Sequence, residues 1–97
     1  MHMEKMPAAA IEKALKELPG WEFRDGALVT ILEFADFKEA FTAMGRIAFE
    51  CEAQQHHPDW TNVYNQLEIR LRTHDADGVT EKDFHLARTI ESLVGAS

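Results

Sequence analysis

Cysteine occurs once, at Cys51, so no disulfide can form within the chain. The residue reads most simply as a small apolar group on a buried helix face, not as a reactive thiol. Positive charge is scarce: ten Lys and Arg stand against 17 Asp and Glu, a formal charge of −7. A surface of that sign repels phosphate backbones and argues against nucleic acid as a partner, while a neutral or cationic small ligand stays open. No apolar run approaches the ~20 residues of a membrane span, so no membrane partner is expected. Met1 to Pro7 contains no apolar stretch that could serve as a signal peptide, and the expected location is the cytoplasm. No repeat and no linker divides the chain, whose 97 residues suit a single domain, 1–97, with one modest core. What is present is 45% hydrophobic residues, more than a disordered chain carries.

Those residues fall into regular patterns. Proline suits a first helical turn, and after Pro7 the residues Ile11, Ala14, Leu15 and Leu18 recur at helical spacing until Pro19-Gly20 stops them. A hairpin follows. Trp21–Phe23 and Ala27–Phe34 read as strands around Asp25-Gly26, a pair suited to a tight turn. The longer strand puts Leu28, Thr30, Leu32 and Phe34 on one face and Val29 and Ile31 on the other, so a subunit contact is one candidate cover for the second face. Asp36 and Glu39 form a capping box. Behind it Phe37, Ala40, Phe41, Met44, Ile47, Ala48 and Cys51 make one stripe of a helix that frays near Gln54 or Gln55, with Pro58 as its outer limit. Asn62–His74 alternates as a strand, with His74 ending its polar face. Asp77-Gly78 marks a turn. Thr80 to Asp83 is a second capping box, opening a last helix with Phe84, Ala87, Ile90, Leu93 and Val94 as its apolar positions. The order is helix, two strands, helix, one or two strands, helix. It predicts an α+β fold, an antiparallel sheet with helices packed on one face.

Three of the five histidines, His56, His57 and His74, lie in one stretch of the chain. Glu52 stands one helical turn before His56, and Asp83 opens the last helix. A metal site is one reading of such a set. Adjacent histidines diverge on a helix or strand, however, and the i, i+4 zinc spacing is absent, so no metal and no cofactor is expected. The competing reading is acid–base chemistry, because an imidazole with a pKa near ~6.5 can give and take protons at neutral pH. Simpler explanations exist for each group. The histidine pair before Pro58 suits a solvated turn, Asp83 suits a capping box, Glu52 a solvated helix face, and Trp60 and Tyr64 sheet packing. Asp75 to Gly78 lacks the ligands of a calcium loop. His85 is expected on an outer helix face, and His2 in a loose terminus.

The run Glu52-Ala53-Gln54-Gln55-His56-His57-Pro58-Asp59-Trp60, followed by Asn62-Val63-Tyr64-Asn65, Thr73-His74-Asp75, Gly78-Val79-Thr80 and Asp83, resembles the pterin-4a-carbinolamine dehydratase family. Trp21 and the Phe37/Phe41 helix fit as well, and the likeness extends from about Ala8 to Val94. The resemblance implies a four-stranded antiparallel sheet with three helices on one side, assembled as a homodimer or homotetramer, partly by joining sheets edge to edge. It implies loss of water from the 4a carbon of a hydroxylated tetrahydropterin to give quinonoid dihydropterin. That reaction recycles the cofactor of aromatic amino-acid hydroxylases, the implied functional link. His56, His57 and His74 become the expected catalytic residues. Glu52, Pro58, Trp60 and Asp83 become the residues that bind or orient: the two carboxylates would raise imidazole basicity, and Trp60 would wall the flat ring.

Two rivals follow. Some animal members of that family also bind a transcription factor, and the apolar central helix would be the surface for such a partner. Zinc held by His56, His57 and His74 is the other rival, to be decided by metal analysis.

Overall fold

The computed structural model describes residues 4–94. Its elements run α1 (Ala8–Leu15), β1 (Glu22–Arg24), β2 (Ala27–Glu33), α2 (Phe37–Gln54), β3 (Asp59–Val63), β4 (Gln66–Leu71), a single 3-10 turn (His74–Ala76) and α3 (Glu81–Val94). The strands form one sheet in the order β1-β2-β4-β3, with every neighbouring pair antiparallel. Strands β2 and β3 therefore run parallel to each other with β4 between them, and α2 carries the chain across, a split βαβ unit.

One face of this sheet is apolar. Leu28, Leu67, Ile69 and Leu71 are fully buried there against Ile11 of α1, Ile47 and Cys51 of α2, and Phe84, Leu86, Ala87 and Ile90 of α3. All three helices thus cover the same side, the α+β arrangement expected from the element order. Each fully buried aliphatic side chain contributes roughly 1.5–3 kcal/mol. Trp21 precedes β1 instead of opening it; it is buried, and its indole N–H donates to Glu91 Oε1 at 2.7 Å, tying the strand to α3. Helix α1 stops at Leu15, and Leu18 reaches the core from the turn that follows.

Several expectations need correction. Asn62–His74 is not one strand. It is the end of β3, a hairpin turn at Tyr64-Asn65, and β4, and the turn escapes detection because Tyr64, not glycine, takes the positive φ of 53°. The ladder ends where Leu71 pairs with Leu28, so Thr73 and His74 lie beyond it. The stripe of α2 is also narrower than read. Ala40, Ala43, Ile47 and Cys51 are its buried positions, whereas Phe37, Phe41 and Ala48 face outward. The second sheet face is mixed: Val29 is buried between its register partners Glu22 and Arg70, while Ile31 is exposed. The capping box of α2 is present, with Glu39 N–H donating to Asp36 Oδ1 at 2.9 Å. Its reciprocal arm differs, because Glu39 Oε1 accepts from Ala35 N–H at 3.5 Å.

Candidate active site

Three chain reversals meet beside the end of α2. The first is the end of that helix itself. Gln55 adopts the left-handed conformation, φ 53°. Its N–H donates to Glu52 O at 3.2 Å, and the N–H of His56 donates to Cys51 O at 3.0 Å. This pair of bonds closes the helix as a Schellman motif, normally built on glycine. The reversal sends the adjacent imidazoles apart. His56 turns inward, 9% exposed, with Nε2 at 2.5 Å from Asp83 Oδ1. His57 turns outward, with Nε2 at 2.6 Å from Glu52 Oε2.

The second reversal follows β4. Thr73 and Gly78 form an isolated bridge, Thr73 N–H donating to Gly78 O at 2.8 Å. The four residues between them, His74 to Asp77, loop out, so His74 opens the 3-10 turn and stands exposed. The third reversal is the start of α3. Thr80 N–H donates to Asp83 Oδ2 at 2.9 Å, and Lys82 N–H donates to Thr80 Oγ1 at 3.2 Å. Asp83 is 0% exposed and also accepts from Thr73 Oγ1 at 2.9 Å. A buried carboxylate is stable in such a place only when its lone pairs are occupied, as here.

Between these reversals lies a cavity of about 340 Å³. His56, His57, Pro58 and His74 line it, with Gln55, Asp59, Thr73, Asp75 and Lys82 around them. The three histidines singled out from the sequence therefore share one cavity, and Asp83 backs it through His56. Glu52 reaches it by way of His57. Trp60 does not line it; on β3 it packs toward the hydrophobic core. Thr73 and Thr80 were not singled out as site residues, and only their place beside the site motif marks them. A larger groove, about 470 Å³, lies between Phe34, the first half of α2 and the end of α3, but it contains no histidine. The histidines singled out from the sequence line the smaller one.

Among the described residues, no three His, Cys, Asp or Glu side chains converge to hold a metal ion. No described helix is long and apolar enough to cross a membrane. Cys51 lies one turn before the reversal, and burial pushes its thiol up to about 11, which makes it a poor nucleophile. His85 is exposed on α3, as expected, and His2 lies outside the described residues.

The chain is similar to known proteins over nearly its whole length. The family model described as "Pterin 4 alpha carbinolamine dehydratase" matches residues 4–93. A putative pterin-4-alpha-carbinolamine dehydratase of Christiangramia forsetii is 59% identical over 92 residues, 95% of each chain. One of Rhodospirillum rubrum is 43% identical over 94 residues, 95% of this chain and 98% of that one. Among solved structures, a crystal structure titled transcriptional coactivator/pterin dehydratase, from Brucella melitensis, superposes with a TM-score of 0.92 at 35% identity, covering 95% of this chain and 100% of that one.

Proposed function

The chain belongs to the pterin 4 alpha carbinolamine dehydratase family, and from that premise we propose that it is a hydro-lyase that removes water from a 4a-hydroxy-tetrahydropterin to give the quinonoid dihydropterin. The observation that carries the reading is the buried His56–Asp83 pair at the back of a cavity that also holds His57 and His74.

The reaction needs one proton delivered and one removed. Hydroxide is a poor leaving group, so a proton must reach the 4a oxygen as the carbon–oxygen bond breaks. The N5–H proton leaves to a base, and the N5 electron pair closes the C4a=N5 double bond. Water is the only other product, and the proton count balances. His56 and His57 form the main proton-transfer pair, with His74 at the hydroxyl or as an electrostatic partner. Each such group contributes on the order of 10²–10⁴ in rate. Asp83 orients His56 and Glu52 orients His57, and Pro58 shapes the wall between them. Trp60 is assigned to the wall against the flat ring. Its core-facing position on β3 limits it to supporting that wall from behind.

In this reading residues 1–97 act as one cytoplasmic domain that recycles the cofactor of an aromatic amino-acid hydroxylase. It works as a homodimer or homotetramer. Support for an oligomer comes from α2, whose outer face exposes Phe41 at 61% and Phe49 at 78%. The same face favours a second reading, a helical protein partner, since the Brucella melitensis relative is titled a transcriptional coactivator. A second copy of the chain remains the simpler cover.

The test is turnover of freshly generated 4a-hydroxy-tetrahydropterin, followed by absorbance. Wild type should accelerate water loss, and a His56→Ala/His57→Ala variant should not. A folded wild type with no acceleration would refute the dehydratase reading and leave the partner-binding one.

A further inference from the structure

The hydrogen-bond chain behind His56 has a definite direction. An ionised carboxylate only accepts, so the single hydroxyl hydrogen of Thr73 is committed to Asp83 Oδ2 at 2.9 Å. Thr73 Oγ1 and Thr80 Oγ1 lie 2.7 Å apart, and the hydrogen between them must therefore belong to Thr80. Thr80 Oγ1 in turn accepts from Lys82 N–H at 3.2 Å. Thr80 N–H supplies the second donor on Asp83 Oδ2, at 2.9 Å. Every hydroxyl thus gives one hydrogen and receives one, and Oδ2 is saturated. Oδ1 is left for one partner, His56 Nε2 at 2.5 Å.

With the carboxylate an acceptor on both oxygens, Nε2 of His56 must carry hydrogen. The other ring nitrogen has no hydrogen-bond partner among the described residues. Nor is it wholly enclosed: among those residues Arg72 Nε is the one fully enclosed side-chain nitrogen or oxygen without a partner. His56 lines the cavity and its Nε2 is engaged by Asp83, so Nδ1 is the ring nitrogen left for whatever occupies it.

We propose that Thr73 and Thr80 are positioning residues for the dehydration: between them they fill Oδ2 and hold the Asp83 carboxylate with Oδ1 on His56, which fixes resting His56 in its Nε2–H form and leaves Nδ1 as the nitrogen that exchanges a proton with the substrate. The substrate rests on the dehydratase reading; the tautomer does not. A neutral ring so held enters the cycle as a base. It takes a proton at Nδ1, becomes an imidazolium facing a carboxylate, and returns the proton from the same atom. No ring flip is needed between the two transfers.

The tautomer is read directly from ¹⁵N shifts of the imidazole rings in labelled protein at about pH 8, above the ordinary imidazole range, with His56 assigned by its loss in His56→Gln. Wild type should show the Nε2–H form; the Nδ1–H form would overturn the proposal, whatever the activity. Thr73→Val should turn the single tautomer into a mixture and lower kcat by about 10- to 100-fold, the range met when a metal-bound histidine loses the partner that orients it. Thr73→Ser should restore both. A Thr73→Val protein with wild-type tautomer and wild-type kcat would equally overturn it. Should that variant fail to fold, the wild-type spectrum still decides the tautomer. Thr80→Val, which removes the donor to Thr73 Oγ1, then stands in for the kinetic arm. A wild-type Nε2–H ring in a protein with no turnover would refute the dehydratase reading and leave the hydrogen-bond assignment intact.

Discussion

Asp83→Asn changes one atom and puts the whole site to the test. The native carboxylate receives donors on both oxygens: His56 Nε2 at Oδ1, and Thr73 Oγ1 and Thr80 N–H at Oδ2. An amide offers one acceptor and one NH₂, and it must choose. With NH₂ toward Oδ2's position, it meets two donors. Each then loses its acceptor while buried, at about 1–3 kcal/mol apiece. With NH₂ toward His56, the capping box survives, but Nε2 must become an acceptor and the ring must switch to its Nδ1–H form. The second orientation is the cheaper one, because it strands no donor. It gives up only the charge-assisted bond, about 1.5–3 kcal/mol. For a domain of this size that lowers Tm by roughly 4–8 °C for each kcal/mol lost. The kinetic effect should exceed the stability effect. A ring that presents N–H where a base is needed loses most of its acid–base contribution, on the order of 10²–10⁴ in kcat. The assay pairs a thermal melt with absorbance-monitored dehydration at a temperature where the variant is fully folded. A folded Asp83→Asn protein with kcat within about threefold of wild type would refute the role assigned to the His56–Asp83 pair, since such a ratio amounts to less than ~0.7 kcal/mol of transition-state stabilisation.

Other elements make independent predictions. His57 and Glu52 form an exposed pair, so Glu52→Gln should change stability by less than ~0.5 kcal/mol yet slow turnover; an unchanged kcat would remove Glu52 from the site. Gln55→Gly should stabilise the fold by about 0.5–1 kcal/mol in urea unfolding, because glycine takes the left-handed conformation of Gln55 without the steric penalty of a Cβ. A loss of stability would mean that the Gln55 side chain does more than close the helix. Cys51 should be silent to a thiol reagent at pH 8 in native protein and react once per chain after unfolding; prompt native labelling would contradict its burial. Its thiol rises from 9.0 to about 11 on folding, so its contribution to stability is complete below pH 9.0 and is lost as pH climbs toward 11. The loss amounts to on the order of 2–3 kcal/mol, and it should be missing from a Cys51→Ala variant measured over the same range. Phe41→Ser/Phe49→Ser should reduce the mass seen by light scattering if α2 joins copies of the chain, and leave it unchanged if the copies meet elsewhere.

The sequence disclosed the local features of this fold more fully than its global ones, for identifiable reasons. Capping boxes at Asp36 and Thr80 depend on residues three apart, so they are legible from spacing alone. The end of a ladder is not. Alternation through Thr73 and His74 continues past Leu71, but β2 begins at Ala27, so the sheet has no further partner to offer. Nor does an apolar stripe announce what covers it: Ile47 meets the core, while Phe41, on the same helix, meets solvent. The left-handed residues Gln55 and Tyr64 escaped because nothing in either side chain favours a positive φ. The site itself is the sharpest case. Asp83 had two competing explanations, a cap for α3 or a partner for a histidine, and the choice between them was a false one. A carboxylate has two oxygens: Oδ2 closes the helix, and Oδ1 meets His56. One residue therefore couples the start of α3 to the end of α2. The stability of a helix terminus and the orientation of an imidazole thus rest on one carboxylate in this protein, and only a side chain that offers an acceptor at both positions serves the two together.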